Sequence, residues 1–497
     1  MEGREQDYRR AHEEIVLEPW VREQIRQRVL AENKKSDISD MGPGEGERKM
    51  RGHHSFGKSR RGWLYAGALA CLAAVTALAV FVSSSLTGGD IRVLAAAEYP
   101  EALAFDDYEG KRALAESLGP VSEEFRLAVR QFAADSARLV LGQETEENLC
   151  YSPLSLYTAL GMVAETAAGE TKDEILACLH YEGDSLAEEM YRYLRLCYQE
   201  NGISVIKPAN SLWFDSQAVE ESMFREDTVE RLAQSYMAES CLCDFERGDT
   251  QKAMAQWVAK QTKGLLGTEP SDFAQAPENV MSLLSTLYYY DQWMNAFNKD
   301  NNIEGTFTRA DGSQVTAEYM RTTKNPYAVL AAEGYTAASL HMKGDSKITF
   351  VLPDEGRTPA DILADEAAMS RLLWITEKPE MEYAEVRFSI PKYSFRSSLD
   401  LTPVAEALGI RRAFSLEEAD FGGIVSAAEG PVWLGGIRQQ ISMSIDEKGC
   451  EAAAFTQIDY IGAALPEDRI VEFCLNRPFL IIVSSGEPLF IGVINQP

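Results

Sequence analysis

Histidine is scarce in this chain, five in 497 residues, and His12, His53 and His54 sit in a polar N-terminal stretch. His180 and His341 stand alone, and no G-x-S-x-G or H-E-x-x-H run occurs. Without a base set beside a nucleophile, or a helical pair of zinc ligands, hydrolytic chemistry has no visible seat. An enzyme is disfavoured, and no metal or cofactor is expected. A disulfide framework is missing as well. Cys71 lies in an apolar run, and the other cysteines, Cys150, Cys178, Cys197, Cys241, Cys243, Cys450 and Cys474, are odd in number and irregularly spaced. Cys241 and Cys243, with no second pair nearby, read as buried small hydrophobes. Cations are in short supply too: 48 Lys and Arg against 77 Asp and Glu give a net charge of −29. So acidic a body argues against nucleic acid and anionic surfaces as partners. The helix expected from Ser185 to Leu196 sets Glu188 and Glu189 beside Arg192 and Arg195, leaving no basic stripe for a sulfated polysaccharide. Gly52 to Ser59 spells a phosphate-loop pattern, but no strand precedes it, and the match is read as chance.

What is present is a core. Hydrophobic residues make up 45% and charged residues 25%, and the length allows more than one domain. Residues 1–61 are polar and slightly basic. From Gly62 to Ser83 the chain carries no charge, with Trp63 and Tyr65 at one end and Arg48, Lys49, Arg51, Lys58, Arg60 and Arg61 ahead of it. About 20 apolar residues span a bilayer, and cations stay on the inside. This run is therefore expected to be a single-pass anchor at the cell membrane, with a cytoplasmic N-terminus (1–61) and an extracellular remainder; a signal peptide cleaved near Ala95-Ala96-Ala97 and a buried helix are the alternatives. Residues 84–120 then read as a stalk and 121–497 as the folded domain. Within it Phe125, Val129, Phe132 and Leu139 recur at helical spacing from Ser122 to Leu141. Ala253–Leu266 reads as a further helix, and Lys347–Leu352 and Phe479–Val483 read as strands. With no internal repeats, an α+β fold follows.

The most informative run is D-E-K-G-C-E-A-A-A-F-T, Asp446 to Thr456. Laid out as a strand, Cys450, Ala452, Ala454 and Thr456 share one face, and all are small. Glu451, Ala453, Phe455 and Gln457 share the other, which is polar or bulky. Such a segment could slide into a packed sheet, because its inward face needs little room. After a mixed stretch come F-C-L-N-R-P-F-L-I-I-V (Phe473–Val483) and P-L-F-I-G-V-I-N (Pro488–Asn495).

That order resembles the serpin family. Further runs carry the resemblance: N-L-C-Y-S-P-L-S-L (Asn148–Leu156), A-N-S-L-W-F (Ala209–Phe214), L-Y-Y-Y-D-Q-W-M-N-A-F (Leu287–Phe297), F-V-L-P-D-E-G (Phe350–Gly356), I-P-K-Y-S-F (Ile390–Phe395), L-G-I-R-R-A-F (Leu408–Phe414) and D-F-G-G-I (Asp420–Ile424). They follow the family's order over about residues 121–497. With the expected anchor, the chain looks like a membrane-bound, bacterial member. The resemblance implies a large β-sheet, two smaller sheets, surrounding helices and an exposed reactive loop. It implies a monomeric suicide-substrate inhibitor. A serine or cysteine protease attacks the loop and forms an acyl-enzyme. The freed N-terminal part of the loop then enters the large sheet as a strand, and deacylation stalls.

By the same resemblance, Gly449, Cys450, Glu451, Ala452, Ala453 and Ala454 form the loop hinge. Gly449 supplies conformational freedom, and the alanines have little side-chain entropy to lose. Cys450 stands where the family usually has threonine or serine, and Phe455 is larger than usual but of outward parity. Counting from the hinge places the scissile bond between Ala463 and Ala464, which matches an extracellular protease of elastase or subtilisin type with a small apolar pocket. Trp293 corresponds to the tryptophan at the top of the large sheet. Ser152 and Ser155 correspond to serines beneath its centre, where Ser285 and Gln439 replace the family's asparagine and histidine. A non-inhibitory, protease-sensing protein on the same scaffold is the alternative.

Overall fold

A computed structural model of the chain describes residues 91–497, apart from 144, 268, 277–278, 376–380, 426–431, 451–468 and the side chain of Cys450. The first elements, β1 (Arg92–Ala95) and α1 (Tyr108–Leu118), fall within the segment expected to be a stalk. Helix α2 (Glu123–Leu141) starts where the Ser122 hydroxyl accepts the Phe125 N–H, an N-cap that satisfies one otherwise orphaned donor. Phe125, Val129 and Phe132 line its buried face as expected, while Val140, and not Leu139, completes it. Strand β2 (Leu149–Tyr151) leads into α3 (Pro153–Thr166), capped by Ser152 with proline at its first position. Almost every residue of α3 is buried, as befits a central helix.

Helices α4 (Gly169–Cys178) and α5 (Leu186–Cys197) follow, then β3 (Gln199–Glu200), β4 (Val205–Asp215), α6 (Glu226–Tyr236) and β5 (Ala238–Cys243). Helix α7 (Gly248–Gln261) starts and ends earlier than the sequence pattern indicated. Lys263 and Gly264 adopt positive φ just past its end, which stops the helix short of Leu266. Strands β6 (Met281–Gln292), β7 (Ile303–Thr308), β8 (Gln314–Ala332), β9 (Tyr335–His341) and β10 (Lys347–Pro353) precede α8 (Pro359–Ala364) and α9 (Glu366–Leu372). The chain closes with β11 (Glu382–Pro391), β12 (Tyr393–Asp400), α10 (Thr402–Ala407), β13 (Arg438–Ile445), β14 (Gly449–Cys450), β15 (Ile470–Cys474), β16 (Phe479–Ser485) and β17 (Glu487–Ile494).

These strands make three sheets. One runs β1-β5-β4-β6-β14 with β3 on β4, a second runs β15-β11-β8-β9-β10-β16-β17-β2 with β7 on β8, and β12 pairs with β13. The largely apolar β16 and β17 pack with α2 and α3 in the main core, as continuous hydrophobic runs such as Phe479–Val483 must. On the outer edge of the first sheet, β1 adds antiparallel to β5, with Arg92 opposite Leu242 and Val93 opposite Cys241. The segment after it is held to the body: Tyr99 Oη donates to the Pro208 carbonyl at 3.2 Å, and its ring meets Tyr198 at 5.6 Å. An edge that would otherwise present unpaired backbone groups is thereby covered.

The anchor is corrected. Among the described residues no helix is long and apolar enough to cross a membrane, and Gly62–Ser83 lies outside the described residues. That run is rich in alanine, whose small side chain gains little on leaving water, so absence of charge over a sufficient length was too weak a criterion. The transmembrane helix is withdrawn. With it go the single-pass placement, the cytoplasmic N-terminus, the extracellular domain and the membrane as a partner.

Candidate functional site

Strands β6 and β13 run side by side but do not zip together. Among the described residues β13 pairs with β12 alone, and near its start a single parallel bridge, Leu434 to Met281, spans to β6. Above that bridge lies a cavity of about 570 Å³. Met281–Thr286 line it on the β6 side, Ser398, Leu399, Arg438 and Gln440 on the other, and Val258 and Phe273 also border it. A sheet with a seam of this kind has unjoined edges inside the molecule, an arrangement that a further strand would complete.

At the top of the seam the chain turns back on itself. Leaving β13, it reverses at Asp446–Lys448, where the Asp446 carboxylate accepts the N–H groups of Lys448 (2.8 Å) and Gly449 (3.2 Å). Gly449 and Cys450 then pair antiparallel with Gln292 and Asp291 of β6. Gly449 sits at φ +149, and a Cβ there would lie 2.3 Å from the Asp291 carbonyl oxygen, so only glycine fits. Trp293, buried at 1% exposure, fastens the reversal: its ring N–H donates to the Asp446 carbonyl at 2.8 Å and its backbone N–H to that of Lys448 at 3.0 Å. Glu447 is held from the side by Lys392 at 3.2 Å and Asn302 at 2.6 Å. Burial works to raise the Glu447 carboxyl, but its backbone, Asn302 and Lys392 outweigh it and bring it below the ordinary glutamate range.

Beneath the centre of the sheet the predicted polar residues meet. Gln439 on β13 grips the start of α3 from both sides, accepting the Ser152 N–H at 2.7 Å and donating to the Ser152 carbonyl at 3.1 Å. The Ser152 hydroxyl accepts the Ser155 N–H at 3.1 Å. On β6, the Ser285 hydroxyl lies 3.3 Å from the Ser155 carbonyl and 2.8 Å from Asn210 Oδ1. Asn210 escaped the sequence reading, although it stands in the A-N-S-L-W-F run. Its burial at 1% exposure requires partners, and its amide donates to the Tyr236 carbonyl at 2.7 Å. Of the expected site residues, Trp293 meets Gly449 at the top, and Ser152, Ser155, Ser285 and Gln439 meet lower down. Glu451, Ala452, Ala453, Ala454, Ala463 and Ala464 lie outside the described residues.

Asp291 was also missed. It ends the run Tyr288-Tyr289-Tyr290, and a lone carboxylate there is the only sequence signal. The group is fully buried, and burial pushes its carboxyl up to about 6, against hydrogen bonds from Ser346, Gly344 and Gln292, while the Asp345 charge adds to the rise. The Ser346 hydroxyl donates at 2.6 Å and the Gly344 N–H at 3.0 Å, which ties the top of β6 to the β9–β10 turn.

Comparison with known proteins agrees with this architecture. A family model for Serpin (serine protease inhibitor) matches residues 127–497. Serpin-ZX of Arabidopsis thaliana is 28% identical over 371 residues, covering 70% of this chain and 92% of that protein. Alpha-1-antiproteinase S of Cavia porcellus is 26% identical over 390 residues, covering 76% and 92%. The crystal structure of the thermophilic serpin Tengpin in the native state shares the fold, with a TM-score of 0.67 and 23% identity over 81% of this chain and 98% of that one. The chain belongs to the serpin family. Membership supports protease inhibition through a reactive loop in general, and, in a family of non-catalytic proteins, the chain is not an enzyme. The expectation of a bacterial member is corrected as well: nothing in these comparisons supports a bacterial origin.

Proposed function

We propose that the chain is a suicide-substrate inhibitor of serine proteases with a small apolar specificity pocket, cut between Ala463 and Ala464. The observation that carries the reading is the reversal at the seam. Gly449 and Cys450 pair with β6 in the antiparallel sense, so a strand between β6 and β13 has already begun. Continued at the same register, Ala452 comes opposite Tyr289, Ala454 opposite Leu287 and Thr456 opposite Ser285. On β6 those three belong to the face toward the main core, where Tyr289 meets Phe490 and Ser285 approaches α3. Small residues are what a packed core admits there. Ala453 and Phe455 come opposite Tyr288 and Thr286 on the other face, and Thr286 lines the cavity. The bulk of Phe455 therefore falls on the face away from the main core.

The test is incubation with proteases of elastase and subtilisin type, followed by a denaturing gel. A covalent complex that survives denaturation is expected. Complete loop cleavage without any complex, across several such proteases, contradicts the proposal.

A further inference from the structure

We infer that neither Ser285 nor Gln439 latches the centre of the seam, because Ser285 positions β6 against β4 and α6 and leaves α3 and β13 free to part from it. This rests on the loop-insertion reading for its consequence, but its geometry stands alone. A serine hydroxyl carries one proton. Two oxygens lie within reach of Ser285 Oγ, Asn210 Oδ1 at 2.8 Å and the Ser155 carbonyl at 3.3 Å, and both are acceptors. The Asn210 amide cannot be turned the other way, since its nitrogen must face the Tyr236 carbonyl at 2.7 Å. Ser285 therefore gives its proton to the nearer oxygen, inside its own half of the sheet. Toward Ser155, across the seam, two oxygens face each other with no proton between them.

On the far side, Gln439 commits its carbonyl and amide to the backbone of Ser152 and so joins β13 to α3. Ser285 and Gln440 both line the cavity that separates the strands. Parting β6 from β13 at this level therefore breaks no hydrogen bond made by the Ser285 or Gln439 side chain. Resistance to strand entry sits at the top of the seam, where Trp293 holds Asp446 and Lys448.

The decisive experiment is a pair of double-mutant cycles on urea unfolding of the uncleaved full chain. Ser285→Ala and Asn210→Ala should be coupled, the double variant losing several-fold less in unfolding constant than the product of the singles. Ser285→Ala and Gln439→Ala should be independent. Coupling of Ser285 with Gln439, and none with Asn210, overturns the inference. If Asn210→Ala does not fold, Asn210→Asp replaces it. That variant keeps the acceptor and charges it, so Ser285→Ala should cost more in its background than in the wild type, and an equal or smaller cost overturns the inference. These cycles need no protease, so they stand even if the inhibitory reading fails. Where cleaved wild type gains heat resistance, S285A should gain it at a rate within about two-fold of wild type. The roughly five-fold acceleration expected from losing a cross-seam hydrogen bond of ordinary net strength is the contrary result.

Discussion

At the scale of single residues, inhibition turns on which side chains an entering strand can bury. Arginine at 452 or 454 would set a charge on the core face opposite Tyr289 or Leu287, and a buried unpaired charge is too costly to accept. Ala452→Arg and Ala454→Arg should thus turn an inhibitor into a substrate, with at least a roughly ten-fold loss of covalent complex on a gel, while Ala453→Arg does much less. Equal losses at all three positions would show the parity to be wrong. This expectation comes from the alternation of small and large residues alone, because strand parity needs no tertiary information. Asp291 was not legible: its significance depends on the β9–β10 turn brought against it from some 50 residues away. Its folded carboxyl is raised from 3.8 to about 6. The folded state therefore binds the proton more tightly, and this contribution to stability is full below about 4 and lost as pH rises through about 6. Between pH 4 and 7 wild type should lose on the order of 2 to 3 kcal/mol relative to Asp291→Asn, read from urea unfolding of the uncleaved form. A difference between the two proteins that does not change with pH would contradict the assignment.

At the scale of elements, the Gln439 side chain joins β13 to the start of α3. Gln439→Ala removes the acceptor of the buried Ser152 N–H, while the Ser152 carbonyl keeps the Leu156 N–H. It should cost about 1 to 3 kcal/mol of native-state stability, measured by urea unfolding, and a neutral change would mean water or another group replaces the glutamine. The serine–proline start of α3 is legible as an N-cap in the sequence itself, since Ser-Pro at a helix entrance satisfies local rules. Asn210 was not, because its partners, Tyr236 on α6 and Ser285 on β6, come from separate elements. Strand β1 and helix α1 were hidden for a related reason. Four residues added to a sheet edge carry no periodicity long enough to read, and their place depends on the open side of β5.

At the scale of the whole molecule, the order of motifs disclosed the family and the α+β fold, and the matched span of 127–497 covers every residue assigned to the seam. What motif order could not disclose was that β6 and β13 stand apart over a cavity while Gly449 and Cys450 pair with the end of β6. Nor could a charge-free alanine-rich run decide for a membrane helix, and that expectation did not survive. The central claim is that the seam accepts the loop as a strand. Most proteins lose stability or keep it when an exposed loop is nicked. Here the freed segment gains ladder hydrogen bonds and buries its small apolar face, so cutting should strengthen the fold. The direct measurement is the melting temperature of the full chain before and after limited proteolysis at Ala463–Ala464. A clear rise on cleavage is predicted, and an unchanged or lower melting temperature would show that the loop does not enter the sheet.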